Sequence, residues 1–315
     1  MPFFTIIMPT QNQGEFIEFA IHTILEQSCK DFELLVYDAE STDETKNILE
    51  KYKDRLTWVR EKDDGMSDAI NNGFLAGTGE VFAWLNSDDA YLPGTFSRVR
   101  NIFQNEPDLD FLYGYALDMD RNGDITCANL FTEPPDRDRF FNSHDYMMQP
   151  SVFFRKRVIS KVGLLIKDLH LVMDQEWFAR FYTSRLKGKC VPFFLASNRN
   201  YTSTKTDRMP MRRLVAISKI LKLMPGRPVI FRKIFWVYAL EACLKACNLA
   251  LQNSRPDSLR HKVLAKCSAK GGDIFLQFVN PRLKNDITQK YLREIKPLGS
   301  NIKDLWVVPE KQIEV

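Results

Sequence analysis

The chain is poor in cysteine: six in 315 residues, none of them in a CxxC pair. Cys243 and Cys247 lie four apart, with no His or Cys partner nearby at metal-ligand spacing. That excludes a zinc ribbon or a disulfide scaffold and predicts reduced, mostly buried thiols in a cytosolic protein. Glycine-rich phosphate loops are missing as well. Neither GxGxxG nor GxxxxGK[ST] occurs, so dinucleotide and P-loop chemistry find no support. No apolar run approaches the roughly 18–20 residues of a membrane span. Met1 to Pro9 has neither a basic flank nor a long apolar stretch, so no signal peptide is expected. Charge of one sign is also scarce. Lys and Arg total 44 against 40 Asp and Glu, a net charge of +4 and too small an excess to argue for nucleic acid. Its distribution is uneven, with an acidic first 150 residues and a basic stretch over 151–270. A metal site in one half and an anionic surface near the other would give this pattern. So would two differently solvated faces.

What is present is a regular alternation. Phe3 to Met8 is an apolar, β-rich run stopped at Pro9. Helical spacing follows over Glu15 to Gln27, then an apolar run over Phe32 to Tyr37. Ser41-Thr42-Asp43-Glu44 reads as the start of a helix that runs to about Tyr52. Strands are expected at Leu56–Arg60 and Val81–Leu85, with a helix between them at Ser67–Leu75. This order predicts an α/β fold with a mostly parallel, Rossmann-like sheet flanked by helices. Ligands of such sheets bind beyond the carboxyl ends of the strands. That rule points to Pro9-Thr10, Asp38-Ala39-Glu40, Glu61-Lys62-Asp63-Asp64-Gly65 and Asn86-Ser87-Asp88-Asp89, three of them rich in carboxylates.

Adjacent carboxylates at the end of an apolar strand are costly unless something compensates them. Mg²⁺ and Mn²⁺ take one or two carboxylates and complete their shell with phosphate oxygens and water. Asp88 and Asp89 suit that chemistry. The competing reading is that Asp89 caps the turn before Tyr91-Leu92-Pro93.

Taken in order, Pro9-Thr10 with Asn12, Asp38 to Asp43, Glu61 to Gly73, and Gly77-Thr78-Gly79-Glu80 with Leu85 to Asp89 resemble a family 2 glycosyltransferase. The resemblance covers about residues 3–206. It implies the GT-A fold and a metal-dependent, inverting sugar transfer in surface polysaccharide or glycan biosynthesis. The donor is a nucleotide sugar, with UDP-sugar favoured, and the acceptor a saccharide or lipid-linked saccharide. By the same resemblance Thr10 and Asp38 line the base and ribose pocket, with Glu40 close by. Asp63 and Asp68 sit near the base or ribose. Asn86-Ser87-Asp88 takes the family's DxD position, with Asp88 ligating Mn²⁺ or Mg²⁺. Asn86 departs from the usual first Asp, keeping an oxygen but losing the charge. Asp64 stands where similar sequences often carry Arg.

The same resemblance extends into the second half. Asp174, in Met173-Asp174-Gln175-Glu176-Trp177, matches the catalytic base, and Glu176 a second acidic position. The competing reading is a helix N-terminus with favourable acidic charge. Gln149 stands near the acceptor and donor-sugar pocket. Arg199 and Lys205 are candidates for diphosphate contact, and Tyr201 replaces the usual His. A catalytic domain over 1–207 and a helical, basic extension over 208–315 are expected. The extension either lies on an anionic membrane surface or packs on the catalytic domain. The expected location is the cytoplasm, or the inner face of the cell membrane as a peripheral protein. A nucleotidyltransferase would need a Gly-rich, Arg-containing loop near the first strand, which Pro9 to Gly14 does not supply. A non-catalytic sugar-nucleotide-binding or scaffold protein on the same fold stays open.

Overall fold

The computed structural model describes residues 1–128, 147–169, 172–201 and 299–306. Lys205 and most of the expected extension lie outside the described residues. Among those described, one mixed sheet runs in the order β3-β2-β1-β4-β8-β6-β9-β5, with β7 paired on β6. Its first half is parallel, as the alternating pattern predicts. β1 (Phe4–Thr10) is buried at all seven positions, because β2 (Phe32–Asp38) and β4 (Val81–Trp84) flank it and helices cover both faces. β3 (Thr57–Arg60) closes this edge. Four helices fill the crossovers and the stretch after β5: α1 (Ile17–Leu25), α2 (Thr45–Tyr52), α3 (Met66–Ala76) and α4 (Thr95–Asn105). Close approach fixes α3. A Cβ added to Gly73 would stand 2.6 Å from the Ile7 side chain.

Register then sets the site. Thr10 pairs with Asp38, Asp38 with Arg60, and Ile7 with Trp84, so the loops after β1, β2, β3 and β4 open on one edge.

The second half alternates direction. β8 (Val152–Arg155) runs antiparallel to both β4 and β6 (Phe111–Met119), and β6 pairs parallel with β9 (Gly188–Arg199). β5 (Ala90–Tyr91) and β7 (Ile125–Ala128) complete it, each antiparallel to its partner. β9 contains Pro192, which cannot donate to a ladder. The pairing shifts register there, from Tyr113↔Cys190 to Tyr115↔Phe194. Gly114 makes that bulge possible, since a Cβ on it would meet the Phe193 carbonyl and the Leu195 side chain at 2.6 Å.

α5 (Lys156–Val162) and α6 (Met173–Thr183) follow β8. α6 lays Trp177, Phe178 and Phe181 on Trp84 and Phe154, with ring centroids 4.8–6.3 Å apart. The late segment 299–306 returns to this body. Its buried Ile302 and Leu305 join Ala90, Leu117, Met119 and Phe194 in one cluster.

Candidate active site

The strand-end loops are tied to one another before any ligand is considered. Ser41 Oγ accepts from the Asn12 amide at 2.8 Å, and Asn12 Oδ1 accepts from the Thr42 amide at 2.8 Å. Thr45 Oγ1 accepts from the Gln13 amide at 2.9 Å. Asn12 and Glu40 both hold left-handed backbone, at φ 53° and 51°. Such non-glycine conformations persist only where the surroundings over-determine them, and they cluster at ligand sites.

Within this frame three buried oxygens have no hydrogen-bond partner: Thr10 Oγ1, Asp38 Oδ2 and Asn86 Oδ1. All three stand at the carboxyl ends of neighbouring strands. Asp38 Oδ1 accepts from the Ser41 amide at 2.9 Å, and Oδ2 has only the Arg60 guanidinium, 3.6 Å away and outside hydrogen-bond range. Buried polar atoms are normally satisfied, so three neighbouring exceptions call for a ligand that would complete them.

Asp88 and Asp89 divide their duties. Asp89 is saturated: Oδ1 accepts from the Arg199 amide at 2.8 Å and Oδ2 from Asn86 Nδ2 at 3.1 Å. It therefore ties the end of β4 to the end of β9. Burial, and then the neighbouring charge of Asp88, push its carboxyl well above the ordinary range. Asp88 receives a side-chain bond from Tyr201, whose hydroxyl donates to Oδ2 at 3.3 Å. Burial raises its carboxyl too, against the pull of Tyr201 and the Arg199 charge. The Tyr201 phenol is itself pushed up to about 12, by burial first and then by Asp88, so it stays a donor.

A divalent cation fits this donor set. Among the described residues no three His, Cys, Asp or Glu side chains group closely enough to hold a metal alone. Asp88 and the unpartnered Asn86 oxygen offer the oxygen ligands that Mg²⁺ or Mn²⁺ takes when phosphate and water supply the rest.

The other expected residues are placed less uniformly. Glu40 is exposed on its left-handed turn. Asp63 Oδ1 accepts from the Gly65 amide at 2.9 Å, shaping the entry to α3. Asp68 is turned onto Lys167, 2.5 Å away, and accepts from the Asp64 amide at 3.1 Å. The Lys167 bond is the main reason its carboxyl lies below the ordinary range. Gln149 donates to the Trp84 carbonyl at 2.6 Å and accepts from Asn86 Nδ2 at 3.4 Å, bracing the end of β4. Asp174 is half-buried in the first turn of α6. Ser67 Oγ meets Met173 Sδ at 2.9 Å, which brings the starts of α3 and α6 together. Glu176 is buried and held by Arg180 at 2.6 Å, one turn on, so it supports the helix. Arg199 departs from expectation. It is buried, and its guanidinium donates to three backbone carbonyls.

Comparison with known proteins agrees with this architecture. The model of glycosyl transferase family 2 matches residues 5–163, just over half of the chain. A PGL/p-HBAD biosynthesis glycosyltransferase of Mycobacterium tuberculosis is 26% identical over 246 residues, 74% of this chain and 93% of that protein. An uncharacterized glycosyltransferase of Rickettsia prowazekii is 27% identical over 192 residues, 59% of this chain and 60% of that protein, less than two thirds of its length. Among solved structures, S. aureus TarS 1–349 in complex with UDP-GlcNAc superposes with a TM-score of 0.58 at 17% identity, over 100% of this chain and 91% of that one. A mannosyltransferase of Pyrobaculum calidifontis in complex with GDP-Man and Mn²⁺ gives 0.58 at 17%, over 97% and 86%. With half of its length matched by the family model and its sheet matched by these structures, the chain belongs to glycosyl transferase family 2 and has the GT-A fold.

Proposed function

We propose that the chain transfers a sugar from a nucleotide-sugar donor, UDP-sugar in preference, to a saccharide or lipid-linked saccharide acceptor, with inversion. The observation that carries this reading is the row of unpartnered oxygens on Thr10, Asp38 and Asn86 at adjacent strand ends. A nucleoside diphosphate supplies the ribose hydroxyls, base edge and metal-bound oxygens that would satisfy them. Asp38 and Thr10 would take the nucleoside, with Glu40, Asp63 and Asp68 shaping its pocket. Asp88 would hold Mn²⁺ or Mg²⁺, which when bound stabilises the charge of the departing diphosphate. Lys205 is proposed as a further diphosphate contact.

Asp174 is proposed as the base. It takes the proton from the acceptor hydroxyl as that oxygen bonds the anomeric carbon and the bond to the diphosphate oxygen breaks. Attack from the face opposite the leaving group inverts that carbon. The contact of Ser67 with Met173 supports this reading, because it brings the first turn of α6, where Asp174 stands, to the start of α3. The mannosyltransferase solved with GDP-Man and Mn²⁺ supports a divalent metal. No described helix is long and apolar enough to cross a membrane.

A thermal-shift panel of UDP-, GDP- and dTDP-sugars with Mn²⁺, followed by hydrolysis of any donor that binds, tests the proposal. Stabilisation by one nucleotide class together with metal-dependent hydrolysis supports it. Stabilisation without turnover would favour a sugar-nucleotide-binding protein, and no stabilisation by any donor would refute it.

A further inference from the structure

Arg199 has the geometry of a clamp. It is buried at the end of β9, with its guanidinium 4.7 Å from the centre of the Phe16 ring. Nε donates to the Asp88 carbonyl at 2.8 Å. Nη1 donates to the Asp120 and Arg121 carbonyls at 2.9 and 2.8 Å. Its amide donates to Asp89 Oδ1 at 2.8 Å. One residue thus holds the backbone of Asp88, the side chain of Asp89 and the turn between β6 and β7.

That turn has its own anchor in the late segment. Gly123 O accepts from the Ile302 amide and Ser300 O accepts from the Ile125 amide, both at 2.8 Å. Asn301 Nδ2 donates to Asp124 Oδ1 at 2.9 Å and to the Asn122 carbonyl at 3.3 Å. Ile302 and Leu305 seal the apolar side against Ala90, one residue past Asp89, and Leu92. Arg121 closes the outer face. It pairs with Glu15 and lies 5.9 Å from the ring centres of Phe16 and Tyr201. The ring of Tyr201, the donor to Asp88, lies 5.4 Å from that of Phe16.

We propose that Arg199 is the positioning residue of the cation site, and that residues 299–306 are its far anchor. The carboxylate of Asp88 is aimed by a backbone that Arg199 pins to the 120–124 turn, and that turn keeps its place through Asn301 and Ile302. This rests on the reading of Asp88 as the cation ligand. A guanidinium suits the task because its fork reaches several carbonyls at once, which an ammonium of similar length cannot do. Groups that orient a metal ligand are worth roughly 10- to 100-fold in metal affinity.

The test is a calorimetric titration of UDP into the full chain, with Mn²⁺ and again with EDTA, alongside thermal unfolding. Five proteins are compared: the parent, Arg199→Lys, Asn301→Ala, the double variant of these two, and Asp88→Asn. Arg199→Lys should weaken UDP binding about tenfold or more in Mn²⁺ and leave binding in EDTA unchanged. Asn301→Ala should do the same more weakly, with little change in melting temperature. The double variant should lose less than the product of the single losses, since the two act through one turn. A purely structural role would lower the melting temperature and leave both affinities of the folded protein unchanged. If Asp88→Asn weakens Mn²⁺-dependent binding while Arg199→Lys and Asn301→Ala stay within twofold of the parent, the positioning claim is overturned and the cation-site reading stands. If Asp88→Asn itself changes nothing, the cation-site reading fails and takes this proposal with it. Should Arg199→Lys not fold, Asn301→Ala decides alone by the same criterion.

Discussion

The two halves of the sheet differ in where their buried charged groups find partners. At the carboxyl edge of the parallel half, Thr10, Asp38 and Asn86 keep buried oxygens without partners. In the mixed half Tyr91 Oη and Ser197 Oγ also lack partners, but the buried charged side chains of Arg155, Asp110 and Arg199 are satisfied within the protein. Arg155 donates to the Leu109, Phe103 and Glu106 carbonyls and pairs with Glu80. Asp110 gathers Arg157, Lys161 and the Lys187 amide. Arg199 binds three carbonyls. Unsatisfied groups are expensive and satisfied ones are rigid. On the proposed function, the first half receives the ligand and the second holds the frame that presents it. Substitutions at the strand-end oxygens should therefore act on binding without stability, and those at Arg155 or Asp110 on stability without binding.

The largest expected effect is at Asp174, the proposed base in the first turn of α6. Asp174→Asn should lower transfer by roughly 10²- to 10⁴-fold while UDP still binds, measured as initial rate and by titration. Near-normal turnover would remove Asp174 as the base. Next is Arg155→Met, which strips buried carbonyls of a donor. It should cost about 3 kcal/mol of stability, seen in chemical denaturation, with UDP affinity of the folded protein unchanged. Asp38→Asn should do the reverse. It should weaken UDP binding roughly tenfold, about what one hydrogen bond to a charged group contributes. The melting temperature should hold or rise, because a buried charge without a hydrogen bond at Oδ2 is removed. A fall in melting temperature with intact binding would erase the contrast between the halves.

The smallest effect is one of pH. Burial would raise the Asp110 carboxyl, but bonds from Arg157, the Lys187 amide and Lys161 outweigh it and hold it below the ordinary range. A carboxyl depressed in the folded state contributes stability above its unfolded value, near pH 4. That contribution is lost as pH falls through the lower folded value. Asp110→Asn should flatten this acid limb of the stability curve and leave the neutral side parallel to that of the parent.

The contrast also explains what could be read from sequence. The parallel half announces itself locally. Phe4 to Thr10 and Phe32 to Asp38 are continuous buried runs, and each ends at its candidate binding residue. The mixed half is assembled from distant pieces. β9 is interrupted by Pro192, which reads as a strand breaker until Gly114 on the partner makes the bulge possible. Residues 299–306 show no periodicity, and their role comes from pairing with Asp124, 177 residues away. Lys167 gives no local signal that it will meet Asp68. Tyr201 stands out in sequence only as a departure from the family pattern, and its bond to Asp88 emerges when β5, which begins just past Asp89, pairs with the end of β9. The cost of pairing two adjacent carboxylates is legible. Which of the two is saturated is not, because the answer depends on the Arg199 amide, 110 residues away.

The central claim is that the unpartnered oxygens and Asp88 form one donor site for a nucleoside diphosphate with a divalent cation. Titration of UDP into the parent chain and into Asp88→Asn, each with and without Mn²⁺, tests it most directly. The account predicts that Mn²⁺ tightens UDP binding to the parent and that most of this gain is lost in Asp88→Asn. An equal gain from Mn²⁺ in both proteins would contradict it.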